Sequence, residues 1–269
     1  MLSDDRRSTI ERYEGKWGDV RDVAARVIAS GERDLSRAVR IVDAEERALS
    51  LEPQEGMALG TRVTLPRAAM TGARRDLIQR ILLDACEPDT GLVVELGSGG
   101  GINLLNLHLW GGPRVPYRAL EPASTGRETA EILAALDPGL DLETAPYDYE
   151  RPDYAALPRG QAHALVFTVH SIEQVTELPR EAITGLFDLA GRVTGVHFEP
   201  IGWQLLDEPD AASREYALRQ LYNRNLWPLL QELEREGELT LDTVAADLFG
   251  DKYKNPATLI VWHTPAADR

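Results

Sequence analysis

Residues 93–103 read Val-Val-Glu-Leu-Gly-Ser-Gly-Gly-Gly-Ile-Asn, and the reading of this stretch decides the fold. An apolar run ends with Glu95, the chain turns through Gly97, Gly99, Gly100 and Gly101, and INLLNLHLW continues with helical spacing. Glycine at such a turn lets the backbone take positive φ and lets a ligand come close to it. The ligand then meets free N–H groups at a helix amino end. The segment is therefore a strand, a ligand-approachable turn and a helix.

Outward from it, the same alternation repeats. Short apolar runs at 92–96, 117–121, 140–145, 164–169 and 193–199 read as strands, and 239–245 and 257–263 as two more. Helical spacing is expected over 72–85, 124–136, 180–192 and 211–236. Strands alternating with helices predict an α/β fold, a Rossmann-like, doubly wound, mostly parallel seven-stranded sheet covered on both faces. Ahead of it, residues 1–50 hold no proline and place Val20, Val23, Ala24, Val27 and Ile28, then Leu35, Ala38, Val39 and Val42, at helical intervals. Residues 52–68, with two glycines and two prolines, read as a connector. The expected organisation is a helical extension or lid over 1–70 and a core domain over 71–269.

The turn's electrostatics choose between ligands. A dinucleotide turn, G-x-G-x-x-G, needs a glycine where Ile102 stands, and Glu95 would repel a pyrophosphate. A carboxylate there suits a cation. S-adenosyl-L-methionine carries a sulfonium and an ammonium and no phosphate. Glu95-Leu-Gly97-Ser-Gly99-Gly-Gly101 resembles motif I, (D/E)-x-G-x-G-x-G, of class I S-adenosylmethionine-dependent methyltransferases. The resemblance continues in register: YRALEP ends a second strand at Glu121, 24 residues after Gly97, where the family holds the ribose hydroxyls. It implies Asp148 near the adenine amine, with Tyr147 or Tyr149 beside the ring. The implied cofactor site comprises Glu95, Gly97, Ser98, Gly99, Gly101, Asn103, Glu121, Pro122, Tyr147 and Asp148.

In open α/β sheets ligands bind beyond the carboxyl ends of the strands. After the fourth strand come Val169-His170-Ser171-Ile172-Glu173, and after the fifth GVHFEPIGW, with His197 and Glu199 on one side of the strand. Methyl transfer to a protonated acceptor needs a base, and imidazole suits that work near neutrality. His170 is the expected base, and Glu173 and Glu199 are the expected groups for binding a cationic or hydroxyl-bearing acceptor. The types at 170, 173 and 199 could also ligate a divalent metal, but acid–base and binding roles are the expectation, with no metal. His197, His108 and His163 read as structural. Trp203 and Trp227 could line an acceptor pocket, though core packing suits both, and Asn223 and Asn225 read as helix-opening residues.

The 269-residue chain carries 29 Lys and Arg against 44 Asp and Glu, a net charge of −15. Lys and Arg neutralise phosphates in nonspecific nucleic-acid binding, so this composition disfavours a nucleic-acid partner. No apolar run is long enough to span a membrane, the first residues lack a signal core, and the lone Cys86 allows no internal disulfide. A cytoplasmic methyltransferase of specialised metabolism is expected, acting on a polar small molecule or peptide side chain, with a homodimer among the assemblies it allows. The alternatives are a noncatalytic S-adenosylmethionine-binding protein and an NAD-linked oxidoreductase, the latter disfavoured by Glu95 and Ile102.

Overall fold

Residues 164–167, within strand Gln161–Val169, show in miniature why the chain folds as it does. Ala164 and Val166 face one core cluster, and Leu165 and Phe167 face another on the opposite side. Side chains alternate along a strand, so a run that is apolar throughout must be buried on both faces. Leu92, Val94 and Leu96 against Val93 divide in the same way.

The computed structural model describes residues 4–47, 50–250 and 252–265. In chain order the elements are α1 Asp4–Ala29, α2 Leu35–Arg47, β1 Pro53–Ala58, β2 Thr61–Pro66, α3 Arg67–Ala85, β3 Thr90–Leu96, α4 Ile102–Leu109, β4 Tyr117–Leu120 and α5 Ser124–Ala134. There follow β5 Leu142–Ala145, β6 Gln161–Val169, α6 Glu181–Thr184, β7 Ala190–Glu199, α7 Gly202–Leu205, α8 Ala211–Arg219, α9 Leu226–Arg235, β8 Thr240–Gly250 and β9 Ala257–His263. One sheet runs β2-β1-β8-β9-β7-β6-β3-β4-β5. Strands β7, β6, β3, β4 and β5 are mutually parallel, and β9 is antiparallel to both its neighbours. The doubly wound α/β sheet is thus as expected, with nine strands where seven were read.

The two additional strands replace the connector over 52–68. Leu59 and Gly60 both take positive φ, 50° and 72°, and close a two-residue hairpin between β1 and β2. Pro53 and Pro66 face each other at its open end, where a missing N–H costs least. The segment 1–70 is therefore not wholly helical: its last strands extend the sheet beside β8.

Two helix expectations are also corrected. The stretch 211–236 breaks into α8 and α9, because Leu221 takes φ 55° and Asn223 Oδ1 accepts the amides of Asn225 and Leu226 (3.1 and 2.7 Å). The stretch 180–192 holds only the short α6 and a single 3₁₀ turn before β7.

α4 lies between two apolar layers. Leu104 and Leu107 join the core against the sheet, while Ile102 and Leu105 join a third cluster with Val20, Ala24, Val27, Leu35, Val39 and Val42 of α1 and α2. The buried positions of α1 follow i, i+4, i+7, the spacing of one helix face. A second device fastens α1. Glu14 accepts the amides of Ser124 and Thr125 (2.7 and 3.1 Å) and the hydroxyl of Thr125 (2.9 Å), capping α5 from another element.

Burial pushes the Glu14 carboxyl up, but these hydrogen bonds together hold it below its ordinary value. Its contribution is therefore complete above the ordinary carboxyl range and lost as pH falls through the depressed folded value. Glu14→Ala is expected to cost about 1 kcal/mol, as for loss of a cap, and about 2 °C in Tm. Melting curves at neutral and acid pH check this: the gap between variant and wild type should close as the pH is lowered.

Candidate active site

The glycine turn is held from below. The Gly97 and Ser98 amides both donate to Leu120 O (2.7 and 3.0 Å), tying the turn to the end of β4. Gly97, Gly99 and Gly101 all take positive φ (67°, 53° and 71°), so a side chain there would be strained. Each glycine meets a different neighbour. A Cβ on Gly101 would lie 2.8 Å from Ala130 Cβ of α5, and one on Gly97 would strike Ser171. A Cβ on Gly99 would fall 2.1 Å from the Trp17 ring, so α1 lays an indole directly on the turn.

Around the turn lies a cavity of about 360 Å³. Glu95, Gly97, Ser98, Gly99, Asn103, Glu121 and Pro122 line it, as do His170, Ser171 and Glu173. Thus the sheet brings the ends of β3, β4 and β6 to one place, as the carboxyl-end rule predicts. Glu121 is buried, and its carboxylate accepts the amides of Gly99 (2.8 Å) and Ala123 (3.0 Å). Asn103 Nδ2 donates to Glu95 Oε1 at 2.6 Å, while Glu95 Oε2 and Ser98 Oγ are buried without a hydrogen-bond partner. Burial, moderated by the Asn103 hydrogen bond, pushes Glu95 up to about 8.

At the end of β6, His170 takes φ 52°, a left-handed conformation that turns its ring toward the cavity. Such strain in a non-glycine residue costs on the order of 1–3 kcal/mol and gathers at functional sites. His170 Nδ1 lies 3.0 Å from Glu173 Oε2 and 3.4 Å from Asn255 Nδ2. Gln174 Nε2 donates to Glu173 Oε1 (2.7 Å), and Arg12 of α1 donates to Gln174 Oε1 (3.1 Å). One polar chain therefore runs from α1 to the imidazole.

Other expected residues stand elsewhere. Glu199 is fully buried and does not line the cavity. Its oxygens accept the amides of Ser171, Ile172 and Glu173 (3.1, 3.2 and 3.2 Å), so in place of an acceptor ligand it is a brace under the His170 loop. Burial and the nearby Glu173 charge push it up to about 7. Among the described residues, no three His, Cys, Asp or Glu side chains are gathered to hold a metal ion. Tyr147 is turned into the core, its hydroxyl 2.8 Å from that of Tyr154. Asp148 accepts the Glu150 amide at 3.1 Å and does not line the cavity, whereas Tyr149 does. His197 accepts from Trp262 Nε1 (2.8 Å) and lies 3.0 Å from Thr168 Oγ1; burial pushes it down to about 3, leaving a neutral structural ring. Neither Trp203 nor Trp227 reaches the cavity.

Residues the sequence did not single out complete the lining: Tyr13, Lys16 and Trp17 from α1, Glu46 from α2, Arg67 and Arg74 from α3, and Lys252 and Asn255 from the turn between β8 and β9.

No protein-family model and no curated protein matches this chain. Solved structures do. A geranyl diphosphate methyltransferase in complex with GPP and sinefungin aligns over 84% of this chain and 92% of its own, with TM-score 0.51 and 11% identity. A geranyl diphosphate methyltransferase in complex with SAM aligns over 79% and 98%, with TM-score 0.50 and 13% identity. The chain has the class I methyltransferase fold. Here the glycine turn follows β3, the first strand of the parallel core, and β9 is inserted antiparallel between β8 and β7. The hairpin β1–β2 lengthens the class I sheet beyond its seven strands.

The fold implies S-adenosylmethionine, and the donor set fits it. Glu95 Oε2 is a buried acceptor without a partner, suited to an ammonium. The buried Glu121 carboxylate stands at the cavity at the end of β4, where vicinal hydroxyls would meet two oxygens. No helix among the described residues is long and apolar enough to cross a membrane.

Proposed function

We propose that this chain is an S-adenosylmethionine-dependent methyltransferase of a small molecule or peptide side chain, with His170 as the general base. The observation that carries the reading is the juxtaposition in one cavity of the glycine turn, Glu95 and Glu121 with His170 on its strained turn. Bound, the cofactor supplies an electrophilic methyl group. Glu95 and Asn103 hold the amino end, Glu121 holds the ribose, and Trp17 covers the turn and limits water. Glu173 orients His170 through Nδ1, which leaves Nε2 to take the acceptor's proton. Glu199 keeps the loop in place by holding three amides. A cytoplasmic role in specialised metabolism belongs to the same proposal, as does the reading of 1–70 as an extension or lid. A noncatalytic binder would have no use for a titratable side chain held at strained φ beside the turn.

Glu95 makes the cofactor reading testable by pH. With its carboxyl pushed up to about 8, the free protein holds that proton at neutrality. Accepting from an ammonium requires the carboxylate, so binding expels the proton. Affinity for S-adenosylhomocysteine is therefore expected to rise with pH until Glu95 is ionised in the free protein too. Calorimetry in buffers of different ionisation enthalpy should register the released proton. In Glu95→Gln both the proton and the slope should vanish. A flat profile in wild type would remove Glu95 from the cofactor site.

A further inference from the structure

The cavity lining changes sign along the sheet. Following the strand order, Glu121 ends β4, Glu95 ends β3, and His170 and Glu173 follow β6. Beyond them, past β7 and β9, lie cations: Lys252 in the turn after β8, and Arg67 and Arg74 on the helix that follows the hairpin. The chain has only three lysines, and two of them, Lys16 and Lys252, line this cavity in a protein of net charge −15.

Packing explains how the cations reach one cavity. Strand β1 pairs with the end of β8, Met57 opposite Gly250, and the Tyr253 amide donates to Glu55 O at 3.2 Å. The hairpin thus ties the turn bearing Lys252 to the start of α3 bearing Arg67. Arg67 and Arg74 are seven apart, two helical turns, and share a face. The Asn255 amide donates to Lys252 O (3.1 Å), and the same turn holds the Asn255 side chain against His170.

The neighbouring carboxylates are already engaged. Glu173 is held by His170 and Gln174, and Glu46 pairs with Lys16 at 3.3 Å. Among the described residues neither Arg67 nor Lys252 sits in an ion pair, and Arg67 Nε is buried without a hydrogen-bond partner. Placing the Arg67 and Lys252 charges beside one cavity is unfavourable unless an anion joins them. An arginine fork and a lysine together suit a planar carboxylate or a phosphate.

We propose that the acceptor is an anion, carrying a carboxylate or phosphate group that Arg67 and Lys252 hold while His170, between them and the glycine turn, faces the atom to be methylated. This rests on the methyltransferase reading and replaces the cationic or hydroxyl-bearing acceptor expected from the glutamates alone. The cofactor's own carboxylate is the competing occupant, and the test separates the two.

The full chain, saturated with S-adenosylhomocysteine, is titrated by calorimetry with inorganic diphosphate, inorganic phosphate and benzoate. Saturable binding of one of them, weakening as salt is added, is expected, and the arm that binds distinguishes phosphate from carboxylate. In Arg67→Gln/Lys252→Gln that binding should weaken at least tenfold, while S-adenosylhomocysteine affinity stays within about twofold. Arg67→Lys, which keeps the charge, should lose less, and a melting curve on each preparation confirms the fold. No saturable binding of any probe by wild type overturns the proposal. So does a tenfold loss of S-adenosylhomocysteine affinity in the double variant, which would give the cations to the cofactor. Anion binding without any S-adenosylhomocysteine binding would sustain the anion site and sink the cofactor reading instead.

Discussion

His170→Ala is expected to slow methyl transfer by about 10²–10⁴-fold, the usual contribution of a positioned general base. Affinity for S-adenosylhomocysteine should stay close to wild type, because His170 follows β6 and Glu95 and Glu121 end β3 and β4. Alanine fits poorly where φ is 52°, so part of any loss could come from the loop. His170→Asn separates the two effects, because asparagine tolerates the left-handed region but supplies no base at neutral pH. Single-turnover rates and melting curves of both variants decide. Two slow, well-folded variants support the base. A His170→Asn protein with near wild-type turnover removes His170 from the chemistry, and Glu173 becomes the remaining titratable group on that loop.

The second large effect is expected at Glu121. Its carboxylate accepts the Gly99 and Ala123 amides and stands where the ribose hydroxyls would lie. Glu121→Ala should weaken S-adenosylhomocysteine by about 1.5–3 kcal/mol, or roughly 10–150-fold, as for lost hydrogen bonds to a charged group. Calorimetry reads the loss directly, and unchanged affinity would exclude the assignment. Gly99→Val is a less direct probe than the turn's sequence suggests. The added side chain strikes Trp17 of α1, so the variant would report displacement of that helix together with any effect on the ligand.

What was legible in the sequence follows from the range of the forces involved. Continuous apolar runs such as 164–167 declare a strand buried on both faces, and the glycine turn declares itself through backbone geometry. Both are local, and both lie where expected. The hairpin of β1 and β2 was hidden because Leu59 occupies a positive-φ position that usually announces itself with asparagine or glycine. Tyr147 and Asp148 are implied near the adenine by the family resemblance alone, which does not fix where a side chain points. The side chains found partners in Tyr154 and in the local turn. Glu199 ends a strand beside the His170 loop, but sequence cannot tell whether a carboxylate there faces the cavity or the backbone amides beneath it. Trp17, Arg67 and Lys252 carry no local signature at all. They reach the cavity only because α1, α3 and the turn after β8 pack around it, and nothing in their immediate neighbours foretells that.

The Glu14 cap has a consequence for the order in which the molecule assembles. Its partners, Ser124 and Thr125, lie 110 and 111 residues further along the chain. Helix α1 therefore has no native seat on the growing chain until β4 and the start of α5 have been made. Its apolar face must wait for Ile102, Leu105 and Leu133 as well. Long-range closures of this kind are slow to form compared with contacts between neighbouring elements. During synthesis the amino-terminal helices remain amphipathic segments with one side uncovered, and the glycine turn, once made, remains without its indole roof. Docking α1 and closing the indole over the glycine turn are thus one late event.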